Sequence, residues 1–254
     1  MSHAGPTLLN GLAAFGPYFA VDTHPPICTA PPPWSRLSVL LESPAALGKR
    51  ASAVRIALAA GRPAGAIEFR VAVSVAQLGL AARLLSPAIA VAAAYGRPLA
   101  LNPDAVWWQP VLGGPFPLSL PADAAGAGPT RTGSNPGGTG DPGHAAGLLR
   151  DSLLDGPVRQ LVEIAAGLSV SRTVLWGNVA SAVNGAAAMV ARNRPSLAEP
   201  ARAVGSTLLQ YGPLAPAFTG TLVGGFRRRS CCLIYRASPG PRPPVCGDCV
   251  LARS

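Results

Sequence analysis

Residues 225–254 read GFRRRSCCLIYRASPGPRPPVCGDCVLARS and contain four of the chain's five cysteines. Cys231 and Cys232 are adjacent, whereas Cys246 and Cys249 bracket Gly247 and Asp248, a pattern of C-C-x13-C-x2-C. A disulfide framework spreads its cysteines through a fold, so this clustering points to a metal centre. Four thiolates are the complement of a [2Fe–2S] cluster, two for each iron. The C-x2-C pair suits a tight turn, in which Gly247 would supply a positive φ. In an extended strand Cys231 and Cys232 would point to opposite faces. Both can ligate only if the backbone bends or the cluster sits at the strand's edge. Two alternatives stay open on the residues alone. A structural zinc ion uses the same four thiolates, although zinc sites commonly show two spaced pairs. A disulfide between the vicinal cysteines is the other, and a reducing compartment disfavours it.

Arg227, Arg228, Arg229 and Arg236 flank the cysteines. An oxidised cluster with four thiolates carries about −2 and a reduced one about −3. The arginines are candidates to balance that charge; their alternative role is an ordinary solvated face.

Upstream, the pattern is mainly helical with small β-hairpins, an α+β fold ending in the cysteine-rich segment 227–252. The long apolar stretch Val73–Tyr95 predicts a helix, broken or kinked at Ser86-Pro87. The alternation over Ile67–Val75 allows a strand or a helix start. Trp107, Trp108, Val111, Phe116 and Leu118, with Gly113-Gly114 between them, predict two short strands and a turn. The prolines at 25, 26 and 31–33 argue against regular structure in residues 1–35. Residues 121–146 are rich in Gly, Pro, Ser and Thr and read as a flexible linker or loop. They separate an N-terminal half, 1–120, from a helical C-terminal half, 147–254. In the latter, Gly156-Pro157 would restart a helix, Ser169 or Ser171 would cap one over about 172–193, and Pro200 would open the next.

The 254 residues suffice for one large or two modest domains. The formal charge of +10 resides almost entirely on arginine, with Lys49 the lone lysine. No aromatic residues interleave with the basic ones as on a base-stacking surface, so a nucleic-acid partner is not expected. A membrane span through Val73–Tyr95 would bear about 3 kcal/mol for Arg83 alone. The N-terminal apolar stretch lacks the basic flank of a signal peptide. The expectation is a cytoplasmic protein, with peripheral contact at the inner membrane face left open. There is no Walker loop, nucleophile elbow or dinucleotide fingerprint. His24 and Cys28 could form a metal pair, although a lone loop cysteine is more commonly incidental.

The doubled cysteine followed by CGDC resembles the C-terminal signature of the FhuF family of ferric-siderophore reductases. LWGNVAS, residues 175–181, is similar to that family's Leu-Trp-Gly-Asn segment. The gap between the cysteine pairs is longer here, with ASPGPRPP (237–244) supplying the extra length. The resemblance implies a cytoplasmic oxidoreductase of iron homeostasis with a [2Fe–2S] cofactor on Cys231, Cys232, Cys246 and Cys249. It would pass one electron to a ferric siderophore and release Fe(II), drawing electrons from a reductase or ferredoxin. Arg227, Arg228, Arg229, Trp176 and Asn178 are candidate substrate or partner contacts. For Trp176 and Asn178 the competing role is helix packing. An electron carrier or siderophore-pathway accessory protein, and a structural zinc interaction module, remain the alternative functions.

Overall fold

A computed structural model of the chain describes residues 8–125, 141–222, 224–240 and 245–252. His3 and residues 126–140 of the expected linker lie outside the described residues. The fold is α+β and mainly helical. In chain order its helices are α1 (Ser38–Glu42), α2 (Pro44–Ala59), α3 (Phe69–Tyr95), α4 (Pro142–Leu149), α5 (Arg159–Gly167), α6 (Arg172–Asn193) and α7 (Ala198–Leu209). The strands are β1 (Asp22–His24), β2 (Ser35–Arg36), β3 (Trp107–Trp108), β4 (Leu118–Pro121), β5 (Phe218–Thr219) and β6 (Arg227–Arg228).

The helix boundaries follow local chemistry. Ser43 caps α2 by accepting from Ala46 N, with Pro44 at the first turn, where its missing N–H costs nothing. Asp141 and Pro142 do the same for α4. Ser171 accepts from Val174 N and opens α6. Gly96, in the left-handed conformation, closes α3.

Helix α3 is the axis of the core. It packs most extensively against α6, and also meets α2, α4 and α7. Its buried residues lie on every side, from Val71 to Ala93. One continuous apolar core joins α1–α7 with the small sheet, drawing on residues from Leu9 to Phe226. Helices α3 and α6 are each long and apolar enough to cross a membrane, but 78% and 61% of their most apolar windows are buried within the protein. Burial among the other helices accounts for their hydropathy. Arg83, inside α3, is nearly inaccessible and donates to the carbonyls of Phe116, Tyr18 and Ala20. Burial lowers its pKa to about 10, still charged at neutral pH. A guanidinium in the core is tolerable because its donors are taken up by carbonyls of adjoining loops.

Several expectations need correcting. Pro87 does not break α3, which runs through it from Phe69 to Tyr95. Tertiary packing on all sides outweighs the one ladder bond a proline removes. Of the two readings left open for residues 67–75, the helix start holds, since α3 begins at Phe69. Residues 8–35 are less irregular than their prolines suggest: Leu8–Phe15 is a 3-10 helix, and β1 and β2 join the sheet. His144 belongs to α4, and Pro121 to β4. Gly156 is the point where the helix from α4 to α5 departs from helical geometry (φ −99°, ψ −112°), as its pairing with Pro157 suggests.

The sheet order is β1-β4-β3-β2, with β1 parallel to β4 and the other pairs antiparallel. The hairpin expected around Gly113-Gly114 is the β3–β4 pair, with Trp108 opposite Leu118. Strands β5 and β6 form a separate antiparallel ribbon, Phe218 opposite Arg228, which leads into the cysteine-bearing tail. Gly220 turns this ribbon at φ +79°, where an added Cβ would overlap the Gly225 carbonyl.

Candidate metal centre

The tail lies against α3 and α6. Strand β6 sets the alternation: Arg228 is buried, 1% exposed, and its neighbours on either side are not. Arg228 N donates to Asp248 O at 3.0 Å, which binds the Cys246–Cys249 turn to the strand. The turn itself closes with Cys249 N on Cys246 O at 3.0 Å. Gly247 does not take up the left-handed backbone expected of it. That conformation falls instead on Leu233, at φ +69°, directly after the vicinal pair. For a leucine this is an unusual backbone. Its side chain packs on a small cluster of Ala59, Ile67, Val71 and Ala237. The bend at Leu233 is how two adjacent cysteines both come to face the turn.

One thiol from each end of the segment meets the other directly. Cys232 Sγ and Cys246 Sγ are 3.7 Å apart. Cys231 feels the charge of both Cys249 and Cys232. All four are free thiols; Cys232 and Cys249 are buried, while Cys231 and Cys246 are partly exposed. Among the described residues, no three His, Cys, Asp or Glu side chains converge on one point. Four thiolates, two for each iron, are what a two-iron cluster takes.

The electrostatics suit an anionic group. Arg228 Nη2 donates to Cys246 Sγ at 3.0 Å, and Arg228 Nε is buried without a hydrogen-bond acceptor, 3.5 Å from Asp248 Oδ2. The backbone amides of Leu233 and Leu251 point at Cys231 Sγ (3.3 Å) and Cys249 Sγ (3.4 Å). Burial pushes the Cys231 thiol upward and the Cys246 thiol to about 12, in the latter case against the pull of Arg228. Without a metal these sulfurs hold their protons, because each thiolate would be desolvated and would repel the next.

A buried polar chain continues inward. Arg228 Nη1 donates to Asn178 Oδ1 at 2.8 Å. Asn178 Nδ2 in turn faces Ser74 O, Ser74 Oγ and Gln77 Oε1, all within 3.1 Å. Ser74 Oγ donates to Cys232 O at 2.8 Å, closing the loop back to the tail. Ser181 donates to Asp248 Oδ2. Gly177 completes the seat. An added Cβ there would overlap Ser230 Oγ, which donates to Thr173 O at 3.0 Å.

The candidate contacts therefore divide. Asn178 supports the site through Arg228. Trp176 packs instead beside Tyr211 and Arg159. Arg227 Nη1 holds Ala252 O at 2.7 Å, and the exposed Arg229 donates to Phe218 O. Arg236 pairs with Glu68 at the surface. His24 is no ligand: its ring nitrogens face Ser119 Oγ and Ala105 O, its ring stacks on Trp107, and the exposed Cys28 bonds to Pro25 O.

Residues 228–251 match the family model described as FhuF 2Fe-2S C-terminal domain. Residues 228–251 are thus similar to an FhuF-type [2Fe–2S] domain. All four clustered cysteines fall inside the FhuF-type match, whose description names the cofactor. No curated protein and no solved structure matches the chain. Ser74, Gln77, Ser181 and Asp248 were not singled out by the sequence as site residues. The available signal was Ser74 and Gln77, polar residues three apart on a largely apolar helix.

Proposed function

We propose that this protein is a one-electron reductase of ferric siderophores, acting in the cytoplasm through a [2Fe–2S] cluster held by Cys231, Cys232, Cys246 and Cys249. The family described for the tail supports an iron–sulfur protein concerned with siderophore iron. The observation that carries the reading is the disposition of the thiols: four free cysteines from the two ends of the tail, Cys232 and Cys246 within 3.7 Å, with Cys231 and Cys246 partly exposed. Such a group supplies electrons singly and needs no acid or base beside it. Siderophores hold Fe(III) with hard oxygen donors, and the added electron yields Fe(II), which those donors hold weakly. The chain's residues do the rest. Arg228 and the Leu233 and Leu251 amides offset the negative charge, and α3 and α6 keep water from Cys232 and Cys249. The electron donor is a reductase or ferredoxin-type protein. With two long helices buried in the core, contact with a membrane would be peripheral.

The test is anaerobic. Protein purified without air, with iron and sulfide quantified, is reduced by dithionite, freed of excess reductant and mixed with several ferric hydroxamates. Cluster oxidation matched mole for mole by trapped Fe(II) is expected. A loaded protein that reduces none of them is an electron carrier rather than a chelate reductase.

A further inference from the structure

Sequence order suggests that the adjacent cysteines serve one iron and the C-x2-C pair the other. The geometry points to a crossed arrangement: Cys232 and Cys246 bind one iron, and Cys231 and Cys249 bind the second. This rests on the four cysteines being the cluster ligands, which iron and sulfide content tests separately.

Two thiolates on one tetrahedral metal, at bonds of about 2.3 Å, stand about 3.8 Å apart. Cys232 and Cys246 already stand 3.7 Å apart, without the 2 Å approach of a disulfide. Thiolates on different irons point away from each other and lie much farther apart. The second pair follows by elimination: with Cys232 and Cys246 on one iron, Cys231 and Cys249 are the two thiols left for the other. The backbone allows this. Adjacent side chains leave the backbone in different directions, so within the bend before Leu233 the Cys231 and Cys232 thiols need not meet the same member of the 246–249 turn.

The crossing makes the two iron positions unequal. The Cys232–Cys246 side has the buried Arg228 guanidinium on Cys246 Sγ. The Cys231–Cys249 side has two backbone amides, from Leu233 and Leu251, and no charged donor on its sulfurs among the described residues. A full positive charge and a pair of dipoles differ in strength, so an oxygen ligand substituted on either side will read out differently.

Four single Cys→Ser variants of the full chain, purified anaerobically, provide the test, read by electron paramagnetic resonance of the reduced state and by reduction potential. The expected result is two classes: C232S with C246S, and C231S with C249S. Sorting of C231S with C232S, or of C246S with C249S, would overturn the crossed pairing. Should a variant not retain its cluster, a crystal structure of the unaltered, iron-loaded protein decides the same point, since Cys231 and Cys232 on one iron refute it. Reductase activity enters neither readout, so failure here leaves the proposed reaction standing, and the reverse.

Discussion

Arg228 and Cys246 are joined by a 3.0 Å contact from Nη2 to Sγ, with the guanidinium almost wholly withdrawn from water. The positive charge is held by two partners besides the sulfur, Asn178 Oδ1 and the Asp248 carboxylate. Hydrogen bonds to a charged group contribute about 1.5–3 kcal/mol. They favour the more negative, reduced centre. For one electron, about 1.4 kcal/mol corresponds to about 60 mV. Arg228→Gln should therefore lower the reduction potential by about 60–130 mV, and Arg228→Lys by less. Potentiometric titration of the three proteins checks this, and an unchanged potential in Arg228→Gln would remove Arg228 from the site's electrostatics.

Gly177 is the contact surface for Ser230. A methyl group at 177 would displace the Ser230 hydroxyl from Thr173 O. Overpacking of this kind costs about 1–3 kcal/mol. Gly177→Ala should speed the loss of iron to a strong chelator, followed as bleaching of the visible absorbance. Combining it with Ser230→Ala should restore much of the lost retention, because the added carbon then lacks the atom it meets. Additive effects in the double variant would contradict this account.

Cysteine substitutions should separate sharply. Cys28 is exposed and bonds only to a neighbouring carbonyl, so Cys28→Ser should keep its full iron and sulfide. Cys246→Ser should be strongly depleted of both. Elemental analysis of anaerobic preparations is sufficient, and equal depletion in the two would invalidate the ligand set.

Metal loading should depend on pH. The pKa of Cys246 is raised to about 12 and that of Cys231 is raised as well, so the metal-free protein holds these sulfurs as thiols at neutral pH. Ligation needs thiolates, and each proton displaced improves binding by about 1.4 kcal/mol per pH unit below the thiol pKa. Affinity of the metal-free protein for a Co(II) probe should therefore rise steadily from pH 6 to pH 9. A flat profile would show that the sulfurs are already ionised.

Much of the architecture was legible in the residues, for identifiable reasons. Helix α6 begins at the Ser171 cap and spans 172–193 as read, because a cap opens it and no proline interrupts the run before Pro195. The β3–β4 hairpin follows from aromatic residues around paired glycines. The clustering of the cysteines was visible in the sequence, although spacing alone left zinc and a vicinal disulfide open. Helix α3 was harder. A helix buried on all sides carries no 3.6-residue stripe, so its start resembled a strand and Pro87 a break. The parallel pairing of β1 with β4 joins residues nearly a hundred positions apart, and nothing local announces it. Within the arginine run, the alternation of β6 buries the middle member, but a strand so short leaves no pattern to read. The supports Ser74 and Gln77 come from the opposite half of the chain and acquire meaning only once α3 lies on α6.

The Cys232 carbonyl rests on Ser74 of α3, and the Asp248 carboxylate on Ser181 of α6. The iron-binding peptide is thus clamped from both ends by helices it does not belong to. Transplanted by itself onto another scaffold, it would arrive without its anvil. An engineer wishing to graft this redox unit would have to carry the facing strips of two helices along with it.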